Sequence, residues 1–310
     1  MKPPSRMPIL KTTSPCLAKL DRLGWTAGLC LETYGLRLGI RVNREDILPR
    51  VVARLPPGWK PCRTVEVDRL FSLWLGDTDG KARIRRYSLL YAGILRRART
   101  FDVEEALQTL EAELRQAVAA GARRWVFVHA GVVGFRGRAI LVPGRSGAGK
   151  STLISELVRA GATYYSDEFA VLDRRGRVHP FLKPLSLRRE GGLVESTSWT
   201  SLGGEAGERP LRPLLVALAS HKSGAAWRPV RLSPGQGLLA LLAHTVPVRR
   251  RPAASLGALK AALAPAVVVK GKRGEAAETA KALLRAAERA LRAEERPTLG
   301  RGSLSTRGAA

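Results

Sequence analysis

Residues Gly144 to Ser151 read Gly-Arg-Ser-Gly-Ala-Gly-Lys-Ser, and this octapeptide restricts its surroundings more than any other part of the chain. Its glycines let backbone N–H groups turn inward around a phosphate. Lys150 supplies a point charge for β- and γ-phosphates, and the Ser151 hydroxyl can ligate Mg²⁺. These roles require a strand before the loop and a helix after it. Upstream, Arg138-Ala-Ile-Leu-Val142 is a short apolar run of strand type. Downstream, Leu153, Ile154, Leu157 and Val158 recur on one helical face, and Gly161 stands where a helix-ending glycine belongs. The helix therefore starts at the loop, with the positive end of its dipole toward the phosphates. The ligand predicted is ATP with Mg²⁺, held by Gly144, Arg145, Ser146, Gly147, Ala148, Gly149, Lys150, Ser151 and Thr152.

At 310 residues the chain has room for two modest domains. It has no apolar stretch of membrane-spanning length, and Met1 to Lys19 lacks an apolar signal core, so a cytoplasmic protein is expected. Cys16, Cys30 and Cys62 are odd in number and show no Cys-x-x-Cys spacing, which indicates neither a zinc site nor a disulfide framework. A net charge of +27 raises the question of nucleic acid. Only 5% of residues are aromatic, however, and none alternate with basic residues as stacking platforms do, so nucleic acid is not expected. The most lopsided stretch, Arg209 to Gly274, holds no Asp or Glu and includes the triplet Arg249-Arg250-Arg251. It reads as a solvated basic face or as a landing surface for an acidic peptide or phosphorylated substrate.

The pattern along the chain divides it into a poorly ordered segment 1–28, a small mixed α/β module 29–101, a nucleotide domain 102–296 and a disordered tail 297–310. In the module, Tyr34 to Val42 alternates like a strand, and Asn43 is placed to cap a short helix reaching Leu55. Asp102 and Glu105 form a capping-box-like start to a long amphipathic helix ending at Gly121, read as the lead-in to the nucleotide domain. Trp125 to Ala130 and Arg138 to Val142, around a turn at Gly134 to Gly137, predict an antiparallel hairpin feeding the loop. Beyond the loop helix come a strand at Thr163 to Ser166 and a hairpin pairing Phe169 to Asp173 with Val178 to Phe181. A Gly/Ser/Thr-rich stretch from Glu190 to Glu208 reads as a mobile loop or lid. Helices are expected at Gly237 to His244, Leu256 to Leu263 and Glu275 to Glu295, with a strand at Ala266 to Lys270.

Phosphoryl transfer depends on metal ligands and on a group that orients the acceptor. Asp167 and Glu168 end the strand after the loop helix, which returns them to the sheet edge carrying the phosphates. Adjacent acids project to different sides, so one can ligate Mg²⁺ while the other faces an acceptor hydroxyl. Asp167 is the candidate base and Glu168 the candidate metal-side acid, with the reverse assignment open and Asp167 retained among the metal ligands. His129 ends the strand before the hairpin and is a candidate phosphate-proximal residue, with a core role as its alternative. His179, His221 and His244 have no partners at catalytic spacing and read as structural.

His129-Ala-Gly-Val-Val, Ile140-Leu-Val-Pro-Gly-Arg-Ser-Gly-Ala-Gly-Lys-Ser-Thr, Arg159-Ala-Gly-Ala and Tyr165-Ser-Asp-Glu together resemble the HPr kinase/phosphorylase family over residues 124–188. That resemblance implies a mixed-sheet P-loop nucleotide domain shared with phosphoenolpyruvate carboxykinase. It also implies a kinase in which His129 precedes the loop and one acid of the pair deprotonates a serine hydroxyl. Here Glu168 stands where the family has a second Asp. The Pro-Gly-Arg segment tied to the family's phosphorylase half-reaction has no counterpart, which directs the expectation to phosphorylation of a protein, peptide or small-molecule hydroxyl. A homo-oligomer is compatible with the sequence. Two other classes compete: an ABC-type ATPase, suggested by Leu232-Ser-Pro-Gly-Gln236, and a non-catalytic nucleotide sensor. The first lacks any acid between Gln236 and Glu275, so Ser233 and Pro234 read better as a helix start.

Overall fold

The structure is a computed structural model and describes residues 18–63, 66–76, 87–145, 147–188 and 194–295. It is mixed α/β, and contacts divide the chain into two compact units, Met1–Phe127 and Val128–Ala310. Among the described residues, no helix is long and apolar enough to cross a membrane.

The first unit holds α1 (Ala18–Asp21), β1 (Ala27–Thr33), β2 (Leu36–Val42), α2 (Leu48–Val52), β3 (Lys60–Pro61), β4 (Arg69–Trp74), β5 (Ser88–Ala92), β6 (Leu95–Thr100) and α3 (Val103–Gly121). Its strands form one sheet in the order β3-β1-β2-β4-β5-β6. Tyr34 and Gly35, at φ 50 and 74, make the tight turn that joins β1 to β2.

Four expectations change here. Residues 18–28 are ordered, with Trp25 buried and its Nε1 donating to Leu20 O at 2.8 Å. Asn43 does not cap a helix: its side chain donates to Leu75 O and accepts from Leu75 N, tying the ends of β2 and β4 together. Cys30 and Cys62 form a disulfide, because β3 pairs with β1 at Leu31↔Pro61 and the next residue falls opposite Cys30 at a Cα–Cα distance of 5.2 Å. Helix α3, capped by Asp102 accepting from Glu104 N, packs on β4, β5 and β6 and belongs to this unit. The boundary therefore falls at Phe127/Val128 rather than at 101/102.

The second unit is built on β7 (Val126–Phe135), β8 (Arg138–Pro143), α4 (Lys150–Arg159), β9 (Thr163–Ser166), β10 (Phe169–Leu172), β11 (Val178–His179), β12 (Leu185–Arg188) and β13 (Val194–Thr197). It continues with β14 (Arg212–His221), β15 (Val230–Arg231), α5 (Pro234–Leu242), α6 (Pro252–Leu263), β16 (Val267–Arg273) and α7 (Ala276–Glu295). The main sheet runs β11-β10-β7-β8-β14-β16-β15, with β9 also paired to β7. The hairpin turn at Arg136-Gly137, at φ 48 and 75, reverses β7 into β8. β8 is antiparallel to β7 but parallel to β14, and β14 is parallel to β16, so the sheet is mixed.

Helix α4 buries Leu153, Ile154, Leu157 and Val158, the face expected from the sequence, against α7 and alternate strand residues such as Ile140 and Val142. Burial of each such side chain stabilises the unit by roughly 1.5–3 kcal/mol. The helix stops where Gly161, at φ 92, donates to Val158 O and Ala162 to Leu157 O, a double bond pattern only a left-handed residue permits. The stretch read as a lid is mostly exposed in its described part but is anchored at three points. β13 pairs with β12, Trp199 stacks on Tyr164, and Gly207 lies so close to Tyr165 that a Cβ there would meet the ring at 2.1 Å. Residues 190–193 of that stretch and the tail 297–310 lie outside the described residues.

Candidate functional site

β8 ends at Pro143 and hands the chain to the phosphate loop, whose first amide, Gly144 N, donates to His129 O at 3.1 Å. Gly147 and Gly149 adopt φ 80 and 74, conformations that a side chain would strain, and Gly149 is the N-cap of α4. No side chain caps α4, so its first-turn amides are available to an anion. Lys150 folds back and donates to Arg145 O at 2.8 Å. Ser146 of the expected set lies outside the described residues.

The acid pair arrives by a second local device. Ser166 Oγ accepts from Glu168 N and Phe169 N, which shapes the turn between β9 and β10 and presents both acids at the end of β9. The register Val132↔Ser166 sets that turn beside β7, and β8 on its other side carries the loop. The result is direct contact: Ser151 Oγ donates to Asp167 Oδ2 at 2.8 Å. The structure thus joins the loop hydroxyl and the acid that sequence spacing had only placed at a common edge.

Asp167 is 4% exposed and holds further donors. Oδ1 accepts from Lys183 Nζ at 2.9 Å and Tyr164 OH at 3.3 Å, and Oδ2 also accepts from Ser186 N at 3.0 Å. Burial pushes the Asp167 carboxyl up, but Lys183, Ser186 N and Ser151 outweigh it and hold the group below the ordinary carboxylate value. Asp167 is consequently ionised at neutral pH and a weak proton acceptor. Glu168 is more open, with its side chain 26% exposed and Oε2 3.7 Å from Lys183 Nζ.

The surrounding charges are tuned by burial. Burial lowers the Lys150 ammonium from its usual value, with Asp167 and Glu168 pulling it back up. His129 packs against Phe169 at a ring-centroid distance of 4.8 Å, and burial, then Lys150 and His244, lower its imidazole. His244, structural by its sequence spacing, belongs to this group. It is drawn to the same place by the backbone bond from His129 N to His244 O at 2.8 Å, and burial, then Lys150 and Arg145, lower it too. Both imidazoles are neutral at pH 7.

Arg273 is a further residue that sequence reasoning missed. It ends β16, is 4% exposed, and donates from Nη2 to Gly149 O at 2.9 Å and from Nη1 to Gly274 O at 3.0 Å. It fills the space beside the loop: a Cβ on Gly149 would sit 2.5 Å from Nη2. The other basic residues of the block from Arg209 to Gly274 are mostly exposed, including Arg249 and Arg250. Leu232 to Gln236 forms a helix start, in which Ser233 Oγ accepts from Gln236 N and Gln236 Oε1 from Ser233 N, with Pro234 in the first turn.

The oxygen donors here suit Mg²⁺, which takes one or two protein oxygens and fills its octahedron with phosphate and water. Ser151 Oγ and Asp167 Oδ2 are such a pair. Among the described residues no group of three or more His, Cys, Asp or Glu could hold a metal. No protein-family model matches the chain, and no curated protein matches it.

Proposed function

We propose that the chain is an ATP-dependent kinase resembling HPr serine kinase, which transfers a phosphoryl group to a hydroxyl of a protein, peptide or small molecule. The observation that carries this reading is the Ser151–Asp167 hydrogen bond, which couples the phosphate loop to the acid pair at one sheet edge. The loop amides and Lys150 hold the β- and γ-phosphates, and Arg273 fixes the carbonyl of Gly149 so that those amides keep their direction. Ser151 Oγ and Asp167 Oδ2 would hold Mg²⁺, which would supply positive charge beside the transferred group. Buried and below the usual carboxylate range, Asp167 suits the metal side. The more exposed Glu168 suits the acceptor side and takes the hydroxyl proton as the new O–P bond forms and the bond to the β–γ bridging oxygen breaks. Neutral His129 and His244 add hydrogen-bonding capacity beside Lys150 without adding positive charge.

The test is ATP consumption and product analysis against serine-containing peptides and small hydroxyl compounds. ADP formation with a phosphorylated acceptor supports the kinase. Acceptor-independent hydrolysis would favour an ATPase, and binding without turnover a nucleotide sensor.

A further inference from the structure

We infer that Lys183 is a resident cation of the acid pair and makes divalent-metal binding conditional on nucleotide. Its Nζ lies 2.9 Å from Asp167 Oδ1, 3.2 Å from Pro184 O, 3.3 Å from Ser186 Oγ and 3.7 Å from Glu168 Oε2. Three of these oxygens are within hydrogen-bonding distance, which matches the three donors of an ammonium. The ammonium therefore occupies an oxygen-lined position between the two carboxylates, where a free metal ion would otherwise settle. It is held there rather than merely resting: the side chain is 11% exposed, Lys183 O accepts from Tyr164 OH at 2.8 Å, and Ser186 N donates to Asp167.

Charge balance gives the consequence. Asp167 and Glu168 carry two negative charges, and Lys183 together with the neighbouring Lys150 supplies two positive ones. A free divalent cation meets carboxylates already matched in charge by the two lysines, a guanidinium beside the loop and a fixed ammonium at close range. A triphosphate changes this by adding negative charge and drawing on Lys150, so that Ser151 Oγ and Asp167 Oδ2 face a net negative field. Lys183 keeps Asp167 Oδ1 in both states, which leaves Oδ2 as the metal-side oxygen. This inference rests on the proposed nucleotide site.

The experiment titrates the full-length protein with Mn²⁺ in place of Mg²⁺, reading free Mn²⁺ by electron paramagnetic resonance with and without a non-hydrolysable ATP analogue. The wild type should bind Mn²⁺ at least about 10-fold more tightly with the analogue than without it. Lys183→Met should bind Mn²⁺ alone at least about 10-fold more tightly than the wild type, because a like charge at contact range has been removed. Lys183→Gln should behave the same way, and the wild-type comparison, corrected for Mn²⁺ bound by the analogue without protein, stands even if neither variant folds. Equal wild-type affinities with and without analogue would overturn the inference, as would variants that bind Mn²⁺ alone no better than wild type. An analogue that fails to bind the wild type would instead refute the nucleotide site, while the metal-alone comparison would still decide the role of Lys183.

Discussion

Replacing Asp167 by Asn tests the centre of the site through stability alone, with no substrate required. The carboxylate accepts from Lys183 Nζ on Oδ1 and from Ser151 Oγ and Ser186 N on Oδ2, while Tyr164 OH, which donates to Lys183 O at 2.8 Å, lies 3.3 Å from Oδ1. An asparagine offers one acceptor oxygen and one NH₂. Turned so that its oxygen serves Lys183, its NH₂ faces Ser151 Oγ, which can rotate to accept, and Ser186 N–H, which cannot. The substitution also leaves a Lys183 ammonium that is 11% exposed with Glu168, at 3.7 Å, as its one charged partner among the described residues.

Removing one member of a buried ion pair costs about 3–5 kcal/mol, and the remaining oxygens around Lys183 favour the lower end of that range. At about 2–4 °C per kcal/mol for a unit of this size, the melting transition of the second unit should fall by roughly 6–12 °C. Differential scanning calorimetry on Asp167→Asn, Lys183→Met and the double variant reads both the loss and its coupling. The double variant should lose less than the sum of the single variants, by about 1–3 kcal/mol. A single-variant transition within about 2 °C of wild type, or additivity within about 0.5 kcal/mol, would refute the pair as the organiser of the site.

Four further outcomes are expected. Lys150→Ala should lower ATP turnover by about 10²-fold or more, measured as ADP release, because the charge beside the β- and γ-phosphates is gone. Glu168→Gln should retain ATP binding by calorimetry while phosphoryl transfer falls by roughly 10²- to 10⁴-fold, whereas parallel loss of both would return Glu168 to the metal side. Gly176→Ala should destabilise the second unit by about 2–4 kcal/mol in urea unfolding, since φ is 71 and the new Cβ would meet Ala262 N at 2.2 Å, a backbone atom that cannot rotate aside. His129 and His244 have folded values below the ordinary 6.5, so their contribution to stability is complete above that value and is lost as pH falls towards the folded values. Between about pH 7.5 and about pH 5.5 the wild type should therefore lose more melting temperature than the His129→Gln/His244→Gln double variant, and equal losses would remove the histidines from the explanation.

What the sequence disclosed and what it concealed divide along chain separation. The loop, helix α4 and its glycine stop are contiguous, so the 3.6-residue spacing of Leu153, Ile154, Leu157 and Val158 was enough to define them. The acid pair was legible for the same reason, because one short strand returns it to the loop. The groups that balance its charge were not. Lys183 stands on an irregular segment with no periodicity, and Arg273 reaches Gly149 O across 124 residues. The strand that makes that reach possible, β14, was hidden as well. Its apolar run Leu214 to Ala219 sits inside the basic block and was read as part of it, yet β14 pairs in parallel with both β8 and β16 and so aligns the end of β16 with the loop. Parallel pairing across long connections leaves no local spacing to read, and the Cys30–Cys62 bridge, 32 residues apart and set by β1–β3 pairing, was missed on the same ground. The residues proposed to meet the phosphates are thus encoded locally. Those that neutralise and aim them are supplied by the tertiary fold, so substitutions at Lys183 and Arg273 should alter metal affinity and loop geometry while leaving the motif itself intact.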